Sequence, residues 1–230
     1  MYKLICFDLD DTLWPCWPTI ERTENILYHW LSVHKPKITE TYNNEQLRLK
    51  RKQMLRMKPE LSCDLSAARR MHLKQLSVEF DYDDDWIDTA FNVYYQARQQ
   101  VNLFDDVIKV LSTLKLNYTL AALTNGNAHI SHTGLVEFFD FQVSAADVKA
   151  AKPDPAMFIS AMNQAGVTAE HTLHVGDHPL HDIQGAKNAG VDAVWIRRFG
   201  QIWDLNGPEP SLQFPNLTLF NDWLSQQAND

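Results

Sequence analysis

The chain has 230 residues, 45% of them hydrophobic and 22% charged, with a formal net charge of -8 at pH 7. That length and apolar content sustain a buried core of one or two domains, and the acidic balance argues against broad binding to nucleic acid or to an anionic membrane surface. The N-terminus MYKLICFDLD carries no basic region, long apolar core or small-residue cleavage site, no stretch reaches the roughly 18 apolar residues of a membrane span, and Cys6, Cys16 and Cys63 lack CxxC spacing, so a cytoplasmic chain without a disulfide framework or structural zinc is expected.

KLICF at 3–7 is a short apolar run rich in strand formers. Directly after it the pattern becomes helical. TIERTENILYHWLSVHK places Ile20, Ile26, Leu27, Trp30 and Leu31 at amphipathic spacing, and DDDWIDTAFNVYYQA does the same with Trp86, Ile87, Ala90, Phe91 and Tyr94. NNEQLRLKRKQMLRM and LSAARRMHLKQLSVEF supply two more helical candidates between them. Beyond residue 100 apolar runs return at YTLAAL (118–123), TLHVG (172–176) and DAVWIR (192–197), with QVS near 142 as a weaker strand. Between these runs DDVIKVLSTLK, NAHISHTGLVEFF, DPAMFISAMNQAG and PLHDIQGAKNAG have helical spacing, the last two with glycine stops at Gly166 and Gly190. Strands alternating with helices predict an α/β fold, a Rossmann-like, mostly parallel sheet covered on both faces. The helical block reads as an inserted domain over 18–100, within a core of 1–17 and 101–230.

The first strand ends in FDLDDTLWP (7–15), where Asp8 and Asp10 stand two residues apart. In extended chain that spacing aims both carboxylates the same way, at the strand end where open parallel sheets bind ligands. Such a pair is disfavoured unless a cation compensates, and a divalent metal does so. The alternative is an acidic turn with Asp11 and Thr12 capping a helix. Other strands bring company. LTNGN ends the second with the Thr124 hydroxyl and with Gly126, whose backbone lets an anion approach closely. HVGDHPLHD adds Asp177 and Asp182, and AAKPDPAMF adds Lys152.

DLDDT, LTNG, KPDP and GDHPLHD, in that order, resemble the four motifs of the haloacid dehalogenase superfamily, and the helical insertion is similar to its four-helix cap. The match spans both ends of the chain. The resemblance implies a Mg²⁺-dependent phosphatase of a small phosphorylated metabolite, acting as monomer or homodimer without nucleic acid or membrane. Asp8 would be the nucleophile, Asp10 the general acid and base, and Thr124, Asn125, Gly126 and Lys152 the groups that stabilise the phosphate. Asp8, the Asp10 backbone carbonyl and Asp177 would hold the metal, with Asp182 and Thr12 behind them and Asp182 steadying Lys152. An ordinary aspartate pKa of about 3.9 leaves Asp8 ionised at neutral pH. The superfamily's dehalogenases lack an acid at the second position, since halide leaves without a proton, so Asp10 favours a phosphatase. A sugar phosphomutase and a non-catalytic binding protein are the alternatives.

Substrate choice is less legible. Trp14 and Trp17 follow the catalytic loop and would either stack on a planar ring or be buried at a domain junction. Arg48, Lys50, Arg51, Lys52, Arg56 and Lys58 share one helix, a solvated face or a docking surface for an anion. His171, His174, His178 and His181 crowd the fourth motif as loop residues, and the carboxylates around them favour Mg²⁺ over zinc. LTNGNA, LHVGDHPLHDIQGAKNAG and AVWIRR are similar to the superfamily's bacterial phosphatases of FMN and of the phosphorylated ribitylamino-uracil precursor of riboflavin.

Overall fold

Leu4, Ile5, Cys6 and Phe7 are fully buried, as a strand covered on both faces must be. The computed structural model describes residues 1–227. Six strands, β1 (Leu4–Phe7), β2 (Thr119–Thr124), β3 (Phe141–Ser144), β4 (Thr172–Gly176), β5 (Asp192–Ile196) and β6 (Gln213–Phe214), form one sheet in the order β3-β2-β1-β4-β5-β6. Every pairing is parallel, with Phe7 opposite Ala122 on one side and Val175 on the other. This is the Rossmann-like α/β architecture the alternating pattern predicts. The chain leaves β1 for β2 on one side and reaches β4 on the other, so the carboxyl ends of these three strands border the crevice where such sheets bind ligands.

The chain divides into two compact units, one of Met1–Pro15 with the residues from Asn102 onward, the other of Cys16–Val101. The second is built from α1 (Cys16–His34), α2 (Pro36–Thr41), α3 (Asn44–Met57), α4 (Leu65–Glu79) and α5 (Ile87–Gln99). Four of these are long, and the six-residue α2 begins on Pro36, whose fixed φ suits a first turn. The apolar stripes meet in one core of Leu27 and Leu31 from α1, Leu73 and Leu76 from α4, and Ala90, Phe91 and Tyr94 from α5. Each buried leucine contributes roughly 1.5–3 kcal/mol. Asn43 and Gln46 close a capping box at the start of α3, and the Asp64 carboxylate caps α4 by accepting from the Ala67 N–H at 2.8 Å, contacts worth about 1 kcal/mol each. The basic side chains of α3 are not one solvated face. Lys52 and Arg56 are exposed, whereas Lys50 pairs with Glu79 at 2.9 Å, Arg51 with Glu24 at 2.6 Å, and Arg48 lies 4.8 Å above the Trp17 ring.

In the sheet-bearing unit the helices are α6 (Val107–Leu114), α7 (Ala145–Val148), α8 (Ala156–Ala165), α9 (Gly185–Asn188) and α10 (Leu217–Gln227). Both sheet faces are covered. Phe7 meets Phe220 of α10 edge-on, while His174, which is level with Cys6 and therefore on the opposite face, meets Phe158 of α8. α8 starts where Asp154 accepts from the Ala156 N–H at 2.9 Å and stops at Gly166, whose φ of +66° is left-handed. NAHISHTGLVEFF does not form the helix its spacing predicts. Only Ile130–His132 make a single 3₁₀ turn, because the His129 ring accepts from the Ser131 N–H and Gly134 takes φ +80°. PLHDIQ winds as a π-type turn, with the His178 ring accepting from the N–H groups of Leu180 and His181. Among the described residues no helix is long and apolar enough to cross a membrane.

Candidate active site

Asp8 is the first residue beyond β1, and its N–H continues the sheet pairing by donating to Val175 O at 2.9 Å. The strand therefore delivers its carboxylate to the sheet edge, where it is 8% exposed. Lys152 arrives there from the loop before α8, 2% exposed. Its Nζ donates to Asp8 Oδ1 at 2.6 Å, Asp182 Oδ1 at 2.6 Å and Leu123 O at 2.9 Å. These three acceptors match the three hydrogens of an ammonium group.

Asp182 is the fixed end of this arrangement. Besides Lys152 it accepts from the His178 N–H at 2.9 Å and from His174 Nε2 at 3.0 Å. Burial lowers the His174 pKa, so the ring is neutral and its Nε2 carries the proton that the ionised carboxylate accepts. Asp182 lies against the backbone of Gly176, where an added Cβ would fall 2.3 Å from Asp182 Cγ. Burial opposes its charge, yet Lys152 and His174 hold its pKa below the ordinary carboxyl range, and Lys152 itself is held protonated by Asp182 and Asp8.

One ammonium cannot neutralise two carboxylates and a third nearby. Burial pushes Asp8 up to about 8, with the charges of Asp182 and Asp10 adding and Lys152 opposing. It pushes Asp177 up to about 9, with Asp182, Asp8 and Asp11 adding. An ordinary aspartate pKa therefore does not describe Asp8 in this site, because burial and the neighbouring carboxylates raise it more than Lys152 lowers it. Oxygens of Asp8, Asp177 and Asp182 lie within 4.8 Å of one another. Asp10 is not among these three. Its Oδ1 accepts from Trp14 Nε1 at 2.8 Å across a tight loop in which Asp11 has φ +60°. Trp14 is fully buried and has no face to offer a substrate ring, while Trp17 is 50% exposed in the helical unit.

The second-strand motif is placed differently from the simple expectation. Thr124 ends β2 with its hydroxyl at the same sheet edge, but the Gly126 N–H already donates to Thr124 Oγ1 at 2.9 Å. Asn125 clasps the Lys152 backbone, its Nδ2 donating to Lys152 O at 3.0 Å and its Oδ1 accepting from the Lys152 N–H at 2.7 Å. Thr12 Oγ1 reaches Asp177 Oδ1 at 3.4 Å. Sequence reasoning missed several supports. His174 lies in β4 and is no loop residue. Trp195 Nε1 donates to Asp177 O at 2.7 Å, and Arg198 ties the loop after β1 down by donating to Thr12 O at 2.9 Å and to Asp106 Oδ1 at 2.8 Å. AVWIRR carries both residues, yet nothing local in it points to those partners.

A parallel sheet with a buried aspartate after its first strand, a lysine clamped to it and two aspartates after a neighbouring strand defines an α/β-fold enzyme with an acidic site at its sheet edge. The chain belongs to the family "haloacid dehalogenase-like hydrolase", whose model matches residues 2–190. It is 28% identical over 208 residues to the 5-amino-6-(5-phospho-D-ribitylamino)uracil phosphatase YigB of Escherichia coli, covering 87% of each chain. It is 27% identical to a glyceraldehyde 3-phosphate phosphatase of Methanopyrus kandleri, covering 86% of this chain and 85% of the relative. The crystal structure of a 2-haloacid dehalogenase from Pseudomonas syringae superposes with a TM-score of 0.90 at 37% identity, over 99% of this chain and 100% of that one.

Proposed function

We propose that this hydrolase is a phosphoric monoester hydrolase that uses Mg²⁺ and acts on a small phosphorylated metabolite through an aspartyl-phosphate on Asp8. The observation that carries the reading is Lys152 Nζ, bonded to Asp8 Oδ1 and Asp182 Oδ1 at 2.6 Å each beside Asp177. Such a centre is short of positive charge and presents hard oxygen donors. Mg²⁺ suits that donor set, with Asp8 and Asp177 as side-chain ligands and the Asp10 carbonyl as a third. When bound, the ion would supply the charge that ionises Asp8 and offsets a phosphate's repulsion.

Asp8 attacks phosphorus in line, forming an acyl-phosphate O–P bond as the bond from phosphorus to the leaving oxygen breaks. Asp10 delivers a proton to that leaving alkoxide. It then takes a proton from water, which attacks the aspartyl-phosphate, frees inorganic phosphate and restores Asp8. Trp14 fixes the rotation of the Asp10 carboxyl throughout. Lys152 and the Thr124 hydroxyl stabilise charge on the transferring group, and Asn125 holds Lys152 in place through its backbone. Within small metabolites, FMN and the phosphoribitylamino-uracil of riboflavin synthesis are the preferred substrates, a reading supported by the likeness to the Escherichia coli phosphatase.

The likeness to the Pseudomonas syringae dehalogenase favours a second reading, hydrolysis of a carbon–halogen bond at Asp8. One pair of assays separates the two. With Mg²⁺ the protein should release phosphate from para-nitrophenyl phosphate and from FMN, release no halide from 2-chloropropionate, and lose phosphate release in Asp8→Asn. Halide release without phosphate release would establish the dehalogenase. Good turnover of an unrelated phosphate with neither FMN nor its pathway relatives hydrolysed would remove the riboflavin assignment alone.

A further inference from the structure

The helical unit contains a buried cluster that the proposed reaction does not use. Arg51 of α3 and Arg69 of α4 converge on one oxygen of Glu24 from α1, at 2.6 and 3.2 Å. Glu24 and Arg69 are each 5% exposed. The neighbouring cations are already matched, Lys50 with Glu79 at 2.9 Å and Arg48 with Glu45 at 3.9 Å. Four cations therefore face three carboxylates, and the surplus positive charge falls on the guanidinium pair that shares Glu24. Burial and the Arg69 charge both lower the Arg51 pKa, more than Glu24 restores it.

His72 adds a second, independent sign. It is 3% exposed, and neither ring nitrogen has a hydrogen-bond partner among the described residues, nor has Arg48 Nε. Burial together with Arg69, Arg51 and Lys50 pushes the ring down to about 3, so it is neutral, with one N–H to donate. Buried polar groups in native proteins are almost always satisfied. Arg48, Arg51, Arg69, His72 and Glu24 all border a cavity of about 20 Å³, whose remaining wall is largely apolar. That space has room for a single small occupant.

We infer that the helical unit binds one small monovalent anion of halide size, held by the guanidinium groups of Arg51 and Arg69 and the imidazole of His72. Its charge balances the surplus, and it accepts a hydrogen bond from the His72 ring, which the protein leaves unmatched among the described residues. Arg51, Arg69 and His72 all lie in the helical unit, and none of them is used in the reaction proposed above.

Crystals of the whole protein grown in sodium bromide test this directly, and an anomalous difference peak beside Arg51, Arg69 and His72 is expected. In solution the wild-type thermal midpoint should be higher in potassium chloride than in potassium gluconate at equal ionic strength, by roughly 3–5 °C at ten times the dissociation constant. Arg69→Met removes the surplus charge while leaving the Arg51–Glu24 pair. It should fold and lose the chloride-specific shift, which separates site binding from general salt effects. No bromide peak in the cavity, or the same chloride-specific shift in wild type and Arg69→Met, would overturn the inference and leave a water as the occupant.

Discussion

Replacing Lys152 by Met keeps a straight apolar stem in a position that is 2% exposed and removes the ammonium shared by Asp8 and Asp182. Asp182 keeps its bonds from His174 and the His178 N–H, but its charge loses the compensating cation. Breaking a buried pair by deleting one partner costs about 3–5 kcal/mol, and the orphaned Leu123 carbonyl adds about 1 kcal/mol. The pH dependence has a definite sign. Lys152 depresses the Asp182 pKa, so the stability from this pair is present above the ordinary carboxyl value near 4 and is lost as pH falls through the lower folded value. Lys152 is raised in turn, so the same stability disappears only above the ordinary lysine range. Urea unfolding of metal-free protein should therefore show the variant weaker by several kcal/mol at pH 7, with the gap closing below pH 4. A loss under about 1 kcal/mol at pH 7, or a gap unchanged at pH 3, would refute the charge clamp.

Three further outcomes follow from the same site. Gly176→Ala puts a Cβ 2.3 Å from Asp182 Cγ, so it should lower stability by about 1–3 kcal/mol and weaken catalysis together, seen in thermal unfolding and phosphate release; an unchanged protein would mean that Asp182 is free to move. Trp14→Phe keeps an aromatic ring and removes the Nε1 donor to Asp10; kcat should fall about tenfold, and an unchanged kcat would mean that this bond does not position the carboxyl. Asp8 at about 8 and Asp177 at about 9 hold protons that Mg²⁺ must displace, so affinity measured by calorimetry should rise steeply from pH 6 to 8, by up to about 100-fold per unit; equal affinity at both pH values would contradict the raised carboxyls.

Much of the fold is legible because burial leaves periodic traces. KLICF and TLHVG are continuous apolar runs, and both lie in the middle of the sheet. The helical unit shows in the spacing of Leu27, Leu31, Leu73 and Leu76. What fails is local competition and length. NAHISHTGLVEFF has helical spacing, but a histidine ring and a left-handed Gly134 draw its backbone into turns. β6 has two residues, too few to carry a period, whereas Leu217, Phe220 and Leu224 of α10 do mark a helix face. At the site, the sequence places acids and a lysine at strand ends, and sheet order alone brings Asp8, Asp177 and Asp182 together. The contacts of His174, Trp195 and Arg198 join residues far apart in sequence or on different elements. Ordinary pKa values could not foretell the raised Asp8 carboxyl, since that shift comes from burial.

Acid quenching during turnover of a labelled phosphate monoester in Mg²⁺, followed by peptide mapping, tests the phosphoryl-transfer proposal most directly. A phosphoryl group on the peptide containing Asp8, absent in Asp8→Asn and still present in a slow Asp10→Asn variant, is the expected result. Turnover with no covalent phosphate on that peptide, or with the label on another residue, would contradict it.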